Sequence, residues 1–218
     1  MTRIAVVGGH GQIARLLHPL LLDAGHQPVA LVRKQEHADA LTSEGVETRF
    51  LDIEDSTDAD FATAFDGCEA VVFAAGGGAD GNIERKRTVD LEGSLKSIAG
   101  AEQAGIRRFV QVSAISVDEP LPDDVDAVWK AYVEAKRDAD AALRASNLDW
   151  TVLRPGKLTD DPATGRVAVG ANVERGEIPR ADVAAVVAAA LADDRTVGHQ
   201  WNVVGGSDDV MAAMAAAF

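Results

Sequence analysis

The sequence predicts an α/β fold in which a doubly wound parallel sheet carries helices on both faces. Short runs of β-branched residues alternate with stretches rich in Ala and Leu along the 218 residues. Strand–helix alternation of this kind implies right-handed crossovers and a parallel sheet. Apolar residues make up 47% of the chain and aromatic residues only 5%, which is typical of sheets that are buried on both faces.

Short strands and longer helices account for most of the chain. The strands are predicted at Arg3–Val7, Pro28–Val32, Val46–Leu51, Ala70–Ala74, Arg108–Val112, Trp150–Leu153 and Trp201–Val204. The helices are predicted at Gln12–Leu22, Glu36–Ser43, Ala59–Phe65, Ile83–Ala104, Ala127–Ala145 and Arg180–Ala192, followed by an Ala-rich helix at the C-terminus. Sheets of this type bind ligands beyond the carboxyl ends of their strands, so a site is expected in the loops that follow the strands.

The composition excludes several kinds of partner. The formal net charge is −14, and such a surface repels nucleic acid and anionic lipid, which both need a basic footprint. Cys68 is the one cysteine, so an intrachain disulfide and a cluster of cysteines that holds a metal are excluded. No apolar segment follows a basic one at the N-terminus, and the longest apolar stretch, Ala181 to Ala192, is too short to span a bilayer. We expect a cytoplasmic protein with no nucleic-acid partner, no membrane partner and no metal.

The turn after the first strand predicts a phosphate site for a dinucleotide. Gly8 permits the tight turn, Gly11 lets the backbone approach a pyrophosphate, and Ala14 lets the helix lie close to the strand. Free N–H groups at the start of the helix face the phosphates. The alternative is a glycine turn that serves packing alone. The cofactor residues predicted here are Gly8, His10, Gly11, Gln12 and Ile13, with His10 acting through its backbone N–H rather than its ring.

The end of the second strand indicates which dinucleotide is bound. The chain there reads Val32-Arg33-Lys34, where an acidic residue would accept from the ribose 2′-hydroxyl of NAD and a cation would accommodate the 2′-phosphate of NADP. Arg33 can hold that phosphate in a bidentate fork, with Lys34 as a second charge. In so acidic a chain, these adjacent cations favour NADP over NAD. The alternative is an ordinary solvated basic pair.

Further cofactor contacts are predicted after other strands. Asp52 could accept a hydrogen bond from an adenine amino group and Ile53 could cover one face of the ring, although Asp also ends strands for purely local turn reasons. Ala74, Ala75 and Gly76 are small, as the close passage of a dinucleotide requires. The loop Pro155-Gly156-Lys157 and the ribose contact expected of Lys136 complete the predicted cofactor residues.

The order of these landmarks is more specific than any one of them. The landmarks are Gly8-x-x-Gly11-x-x-Ala14, Arg33, Asp52, Ala74-Ala75-Gly76, Asp90, Phe109-Val110-x-Val112-Ser113, Tyr132-x-x-x-Lys136, Arg154-Pro155-Gly156 and Arg180-Ala181-Asp182-Val183-Ala184. Over nearly the whole chain they resemble the short-chain dehydrogenase/reductase superfamily, and within it the atypical NmrA-like and NAD-dependent epimerase branch. The resemblance implies a Rossmann-like fold and an active site of Ser113, Tyr132 and Lys136. Asp90 stands where typical members have Asn.

The pairing of Tyr132 with Lys136 also agrees with simple chemistry. Residues at i and i+4 share a helix face, so the two side chains meet one turn apart. An ammonium stabilises tyrosinate, and we expect Lys136 to lower the pKa of Tyr132 towards a useful acid/base range. Ser113 follows the fifth strand, where a hydroxyl could orient a substrate carbonyl. The alternative is a tyrosine at the edge of the core beside a lysine that extends to solvent.

We therefore expect an NADP-dependent oxidoreductase or epimerase that acts on a small carbonyl or alcohol. Two alternatives stay open: a non-catalytic NADP sensor, and a flavin or quinone reductase that depends on cofactor placement alone. We expect one domain over residues 1–218, with a small substrate-side region formed mainly by 157–177 and 205–218. We expect a monomer or a homodimer.

Overall fold

The computed structural model describes residues 1–78 and 81–218 and is organised around a nine-stranded sheet. The strands of the chain are β1 (Arg3–Val7), β2 (Gln27–Val32), β3 (Glu47–Phe50), β4 (Ala70–Phe73), β5 (Arg108–Val112), β6 (Asp149–Pro155), β7 (Lys157–Thr159), β8 (Arg166–Gly170), β9 (Glu177–Pro179), β10 (His199–Gly205) and β11 (Asp208–Asp209). The sheet order is β11-β8-β10-β6-β5-β4-β1-β2-β3, and β7 pairs with β9 separately. All neighbours from β10 to β3 are parallel, whereas β8 is antiparallel to β10 and to β11.

Helices cover both faces of this sheet. They are α1 (Gln12–Asp23), α2 (Gln35–Ser43), α3 (Asp58–Ala64), α4 (Ile83–Arg85), α5 (Gly93–Gln103), α6 (Ala127–Ala145), α7 (Arg180–Ala192) and α8 (Val210–Ala216). A π-helical turn at Lys86–Glu92 joins α4 to α5, and a 3₁₀ turn at Asp194–Thr196 follows α7. Side chains alternate across each strand: Ile4 and Val6 pack with α1 and α7, while Ala5 and Val7 pack with α3 and α5.

The fold class predicted from the sequence is confirmed, and the predicted strands and helices are all present with shifts of a few residues at their ends. Two differences matter. The helix predicted at Ile83–Ala104 is broken into α4, the π-helical turn and α5. The four strands β7, β8, β9 and β11 were not predicted; β11 and β8 are the last two strands at one side of the main sheet, and β7 and β9 lie outside it.

The strand order reverses its direction between β1 and β4. From β1 the chain adds β2 and β3 on one side, and then β4, β5 and β6 on the other. The crossovers on the two sides lie on opposite faces, so a crevice opens outside the carboxyl ends of β1 and β4, which is the usual ligand position in open α/β sheets. The residues after these strands therefore position the candidate site.

Candidate cofactor and active site

The turn between β1 and α1 is shaped by close packing. Gly8 has φ +78°, in the region that favours glycine, and a Cβ there would lie 2.7 Å from the Cα atom of Ala75. The N–H of Gly11 donates to the Gly8 carbonyl over 2.7 Å, and a Cβ on Gly11 would lie 3.0 Å from that oxygen. Gly9 is as close to β2, because its Cβ would lie 2.7 Å from that of Ala30. A Cβ has no room at Gly8 or Gly9, and at Gly11 it would fit only if the Gly8 carbonyl moved by a few tenths of an ångström.

The first turn of α1 fits an anionic group. The residue that precedes this helix is Gly11, which offers no side-chain cap. The first N–H groups of the helix, including those of Gln12 and Ile13, therefore have no side-chain acceptor. Such groups and the helix dipole together favour a phosphate. The glycine turn with its open N–H groups thus fits the pyrophosphate of a dinucleotide.

The ends of β2 and β3 present charged side chains that are already paired. Arg33 lies 3.7 Å from a Glu54 carboxylate oxygen, and Lys34 lies 3.2 Å from Glu36. Asp52 accepts the N–H of Glu54 over 3.0 Å, so it makes the local turn that was the alternative to an adenine contact. Beside these residues lies an open groove of about 530 Å³, lined by Arg33, Arg49, Phe50, Leu51, Asp52, Ser56, Asp60, Thr63 and Ala64.

The ammonium of Lys136 is fixed between the ends of β4 and β5. Its Nζ lies 3.2 Å from Asp90 Oδ1 and donates to the carbonyls of Val112 and Ala75 over 3.3 and 3.5 Å. The Asp90 side chain is 1% exposed, and its other oxygen accepts the N–H of Gly77 over 2.9 Å. Burial lowers the pKa of Lys136, but the charge and hydrogen bond of Asp90, together with Tyr132 and Asp140, outweigh burial and raise it above its usual value. The buried lysine therefore stays charged.

Tyr132 lies one turn before Lys136 on the same face of α6. Its ring centroid lies 5.4 Å from that of Trp129 and 6.0 Å from the Nζ of Lys86. Burial raises the pKa of Tyr132; Lys136 opposes this rise, whereas Asp90 and Asp140 add to it. Lys136 lowers this pKa as expected, but burial and the charges of Asp90 and Asp140 outweigh it, so the expected net shift towards a useful acid/base range is wrong. The phenol is protonated at neutral pH.

Ser113 is held by a buried polar network that the sequence did not reveal. Its hydroxyl donates to Asp140 Oδ2 over 2.8 Å. The same carboxylate accepts from Arg154 over 2.9 Å and from Gln111 over 2.7 Å, and Gln111 in turn accepts from Ser94 over 2.6 Å. Burial raises the pKa of Asp140 despite these partners. Because the Ser113 hydroxyl already donates to Asp140, its lone pairs remain for a ligand.

Arginines tie the loop after β5 to the rest of the site. Arg154 spans the buried Asp140 and the more exposed Asp118, the latter at 2.6 Å. Arg175, from the segment between β8 and β9, donates to Ser116 and Glu119 over 2.9 and 2.8 Å. These contacts bring part of the predicted substrate-side region, 157–177, next to the loop that follows Ser113. The C-terminal residue Phe218 packs instead on His199 and Trp201, at the start of β10.

Most of the predicted site residues gather at one edge of the sheet. The glycine turn, Ala74-Ala75-Gly76, Ser113 and Lys136 meet around the ends of β1, β4 and β5, with Tyr132 one turn along α6. Pro155 ends β6 and Gly156 packs against the carbonyl of Gly176. The Lys157 side chain is 77% exposed and pairs with Glu177. The roles given to all these residues stay predictions.

Sequence reasoning missed four polar residues that the structure brings to the site: Asp140, Glu54, Lys86 and Gln111. Asp140 had a signal, since it lies four residues beyond Lys136 and eight beyond Tyr132, on one helix face. Lys86 is buried and donates to the Gly78 carbonyl. Its place in the π-helical turn has no signature in the sequence.

Two features are absent from residues 1–78 and 81–218, the part of the chain that the structure describes. Within those ranges, no group of three or more His, Cys, Asp or Glu side chains is placed to hold a metal. No helix of the described chain combines the length and the apolar character needed to cross a membrane.

A parallel sheet with a glycine turn at its switch point and an adjacent Tyr–Lys helix defines a nucleotide-binding protein of the Rossmann-like class. The sequence pattern of the NAD(P)H-binding family matches residues 8–194, and the chain belongs to that family. It is 35% identical over 213 residues to the uncharacterized sugar epimerase YhfK of Bacillus subtilis, covering 97% of this chain and 98% of that protein.

Solved structures show the same relationship. A Bacillus halodurans protein, provisionally named an NAD-dependent epimerase/dehydratase, superimposes with a TM-score of 0.91 at 35% identity, covering 99% of this chain and 100% of that one. The oxidoreductase ylbE of Lactococcus lactis gives a TM-score of 0.86 at 26% identity, covering 98% and 95%. The chain therefore belongs with NAD(P)-binding oxidoreductases and epimerases of the short-chain dehydrogenase/reductase type.

Proposed function

We propose that this protein is an NADP-dependent oxidoreductase or epimerase acting on a small carbonyl or alcohol. One observation carries the proposal: Tyr132 and the buried, charged Lys136 share a helix face beside the switch point of the sheet. A nicotinamide cofactor supplies hydride transfer when bound. The similar proteins named as an epimerase and as an oxidoreductase agree with this reaction class.

The polar side chains of the site can divide the work. Tyr132 is protonated at neutral pH, so its phenol can donate a proton to a carbonyl oxygen. Lys136, held by Asp90, would lie near the tyrosinate and stabilise it once the proton has left. The Ser113 hydroxyl donates its hydrogen bond to Asp140, so its oxygen can accept a hydrogen bond from a substrate hydroxyl.

The preference for NADP rests on Arg33 and Lys34. On a chain of net charge −14, an added phosphate is repelled unless cations meet it. Arg33 is half exposed and paired with Glu54 at 3.7 Å, a distance at which the pair is loose enough to exchange one anion for another. The 2′-phosphate is a stronger partner because it accepts two parallel hydrogen bonds from a guanidinium.

Tyr132→Phe tests the proposed chemistry. We expect turnover of carbonyl substrates, followed as NADPH oxidation over a panel of aldehydes and ketones, to fall about a hundredfold or more because the proton donor is lost. The affinity for NADPH should change little, which also shows that the variant is folded. Unchanged turnover would contradict an acid role for Tyr132 and would point to a flavin or quinone reductase.

Arg33→Ala tests the cofactor preference. We expect the wild type to bind NADP at least about tenfold more tightly than NAD, and the variant to lose most of this difference with little change in NAD binding. Arg107→Ala is the matched control, because Arg107 is an exposed arginine paired with Asp149 at the opposite edge of the sheet. Equal wild-type affinities, or a preference for NAD, would overturn the NADP assignment.

A second candidate function is a non-catalytic NADP sensor. The commitment of the Ser113 hydroxyl to Asp140 favours it, because a serine that already donates to a carboxylate has no proton left for a substrate carbonyl. The same experiments separate the two functions. A sensor would bind NADPH normally and reduce none of the panel, with or without Tyr132.

A further inference from the structure

Two histidine rings stack across the gap between the glycine turn and α2. The rings of His10 and His37 have centroids 3.7 Å apart and planes 4° apart. His10 lies within the turn after β1, and His37 lies in the first turn of α2, where its N–H donates to the Lys34 carbonyl over 3.1 Å. The sequence pattern predicts a role for the backbone of His10 and none for either ring.

The stack lies where the adenosine ribose of a dinucleotide has to pass. The strands β1 and β2 are neighbours in register, with Val7 opposite Leu31. A dinucleotide whose phosphates meet the turn after β1 places its adenosine ribose beside the end of β2. The His10–His37 contact joins those same two segments, and Arg33 and Lys34 directly precede α2.

Several charges surround the two rings. Arg15 and His18 approach His10 from α1, and Glu36 and Glu44 approach from the two ends of α2. Burial lowers the pKa of His10, and the facing His37 and Arg15 lower it further, while the two glutamates oppose them. Parallel rings at this separation cannot both carry a charge without strong repulsion. The free pair can therefore hold one proton at most.

We propose that the His10–His37 pair is a titrating part of the 2′-phosphate site, and that NADP binds together with a proton taken up by one of the two imidazoles. The proposal rests on the proposed preference for NADP. A phosphate dianion beside the stack favours the imidazolium form. A single shared proton then adds a third cation to Arg33 and Lys34 only when the 2′-phosphate is present. NAD has no such group and gains nothing from the proton.

The direction of the pH effect follows from linkage. Because the complex with NADP holds more protons than the free protein, NADP binds more tightly as pH falls. The useful window is about pH 7 to 8.5, where the 2′-phosphate is mainly the dianion and an ordinary imidazole is mainly neutral. Uptake of about half a proton strengthens NADP binding about threefold per pH unit, and NAD binding stays flat.

Titration calorimetry in two buffers of different ionisation enthalpy counts the protons taken up on binding NADP or NAD. We expect about half a proton with NADP and none with NAD, and no uptake with either in His10→Asn/His37→Asn. The matched control is His199→Asn, because His199 stacks on Trp201 in β10, several strands away, and it should keep the wild-type uptake. His37→Phe, which keeps a ring in the stack, and imidazole proton NMR of the wild type test the same point if the double variant is unstable.

The outcomes separate this inference from the function on which it rests. Preferential binding of NADP without proton uptake would overturn the role of the histidines and leave the NADP assignment intact. Uptake that persists in the double variant would place the proton elsewhere and overturn the inference too. A preference for NAD would instead remove the proposed cofactor and the inference with it.

Discussion

The two ends of the candidate cleft are built from ion pairs of opposite character. Around Tyr132 the Lys136–Asp90 and Arg154–Asp140 pairs are buried, with side chains no more than 6% exposed. Around the end of β2 the Arg33–Glu54 side chains are 46% and 29% exposed. Breaking a buried ion pair leaves a buried charge without a partner, which is strongly destabilising. An exposed ion pair contributes about 0–1 kcal/mol to stability and exchanges partners readily. The first end is preorganised, and the second adapts to its ligand.

Lys136→Met gives the largest expected effect. It leaves Asp90 buried without a counter-charge, and we expect the free energy of unfolding to fall by about 3–5 kcal/mol, measured by urea denaturation. Lys130→Met is the matched control on the same helix, because Lys130 is exposed and its ion pair with Glu134, at 4.0 Å, is weak. This control should hardly change the free energy of unfolding. Adding Asp90→Asn to Lys136→Met should recover part of the loss. If Lys136→Met were as stable as Lys130→Met, the end of the cleft around Tyr132 would not be preorganised by its buried ion pairs.

Gly8→Ala and Gly25→Ala separate backbone strain from packing. Both glycines have φ +78°, but a Cβ on Gly25 meets nothing within 4 Å, whereas one on Gly8 meets Ala75. We expect Gly25→Ala to cost about 1–2 kcal/mol of stability for the left-handed backbone, and Gly8→Ala about 1–3 kcal/mol more for overpacking. Dinucleotide affinity, measured by calorimetry, should fall in Gly8→Ala alone. Equal losses of stability in the two variants would show that the chain around Ala75 can move to accept a Cβ on Gly8 without strain.

Glu54→Gln should have the smallest effect and probes the adaptable end. Without the Glu54 charge, Arg33 no longer exchanges a carboxylate for the 2′-phosphate, so NADP affinity should rise about two- to fivefold. NAD affinity should stay the same. Glu134→Gln, which removes an exposed charge on α6, is the control for net charge. Weaker NADP binding in Glu54→Gln would show instead that Glu54 positions Arg33 for the cofactor.

The parts of the fold that the sequence predicted are those with strong local patterns. The β-branched run of β1 and the uninterrupted helical pattern of α6 gave their bounds directly. The strand β8 was not predicted because it lies near the edge of the sheet, where partial exposure weakens the alternation of buried and exposed side chains. The π-helical turn was not predicted because the periodicity of a helical sequence does not reveal one extra residue in a turn.

The same contrast holds in the site. The glycine turn and the Tyr132–Lys136 pair are short-range patterns, so their positions could be read from spacing. The network of Asp140, Ser113 and Arg154 joins α6 to the ends of β5 and β6, and only the fold brings these residues together. The error about the pKa of Tyr132 has the same origin, since neither its burial nor the opposing charge of Asp90 is visible in a four-residue motif.

The π-helical turn at Lys86–Glu92 has an evolutionary consequence. Such a turn accommodates one residue more than an α-helix would, and it presents Asp90 to Lys136 while α5 beyond it packs on α3. Deletion of Leu91 would restore α-helical register and turn Asp90 by about 100° relative to α5. The carboxylate would leave the lysine while the helix layer beneath stayed in place. We therefore expect the loss of one residue here to separate the buried lysine from its carboxylate.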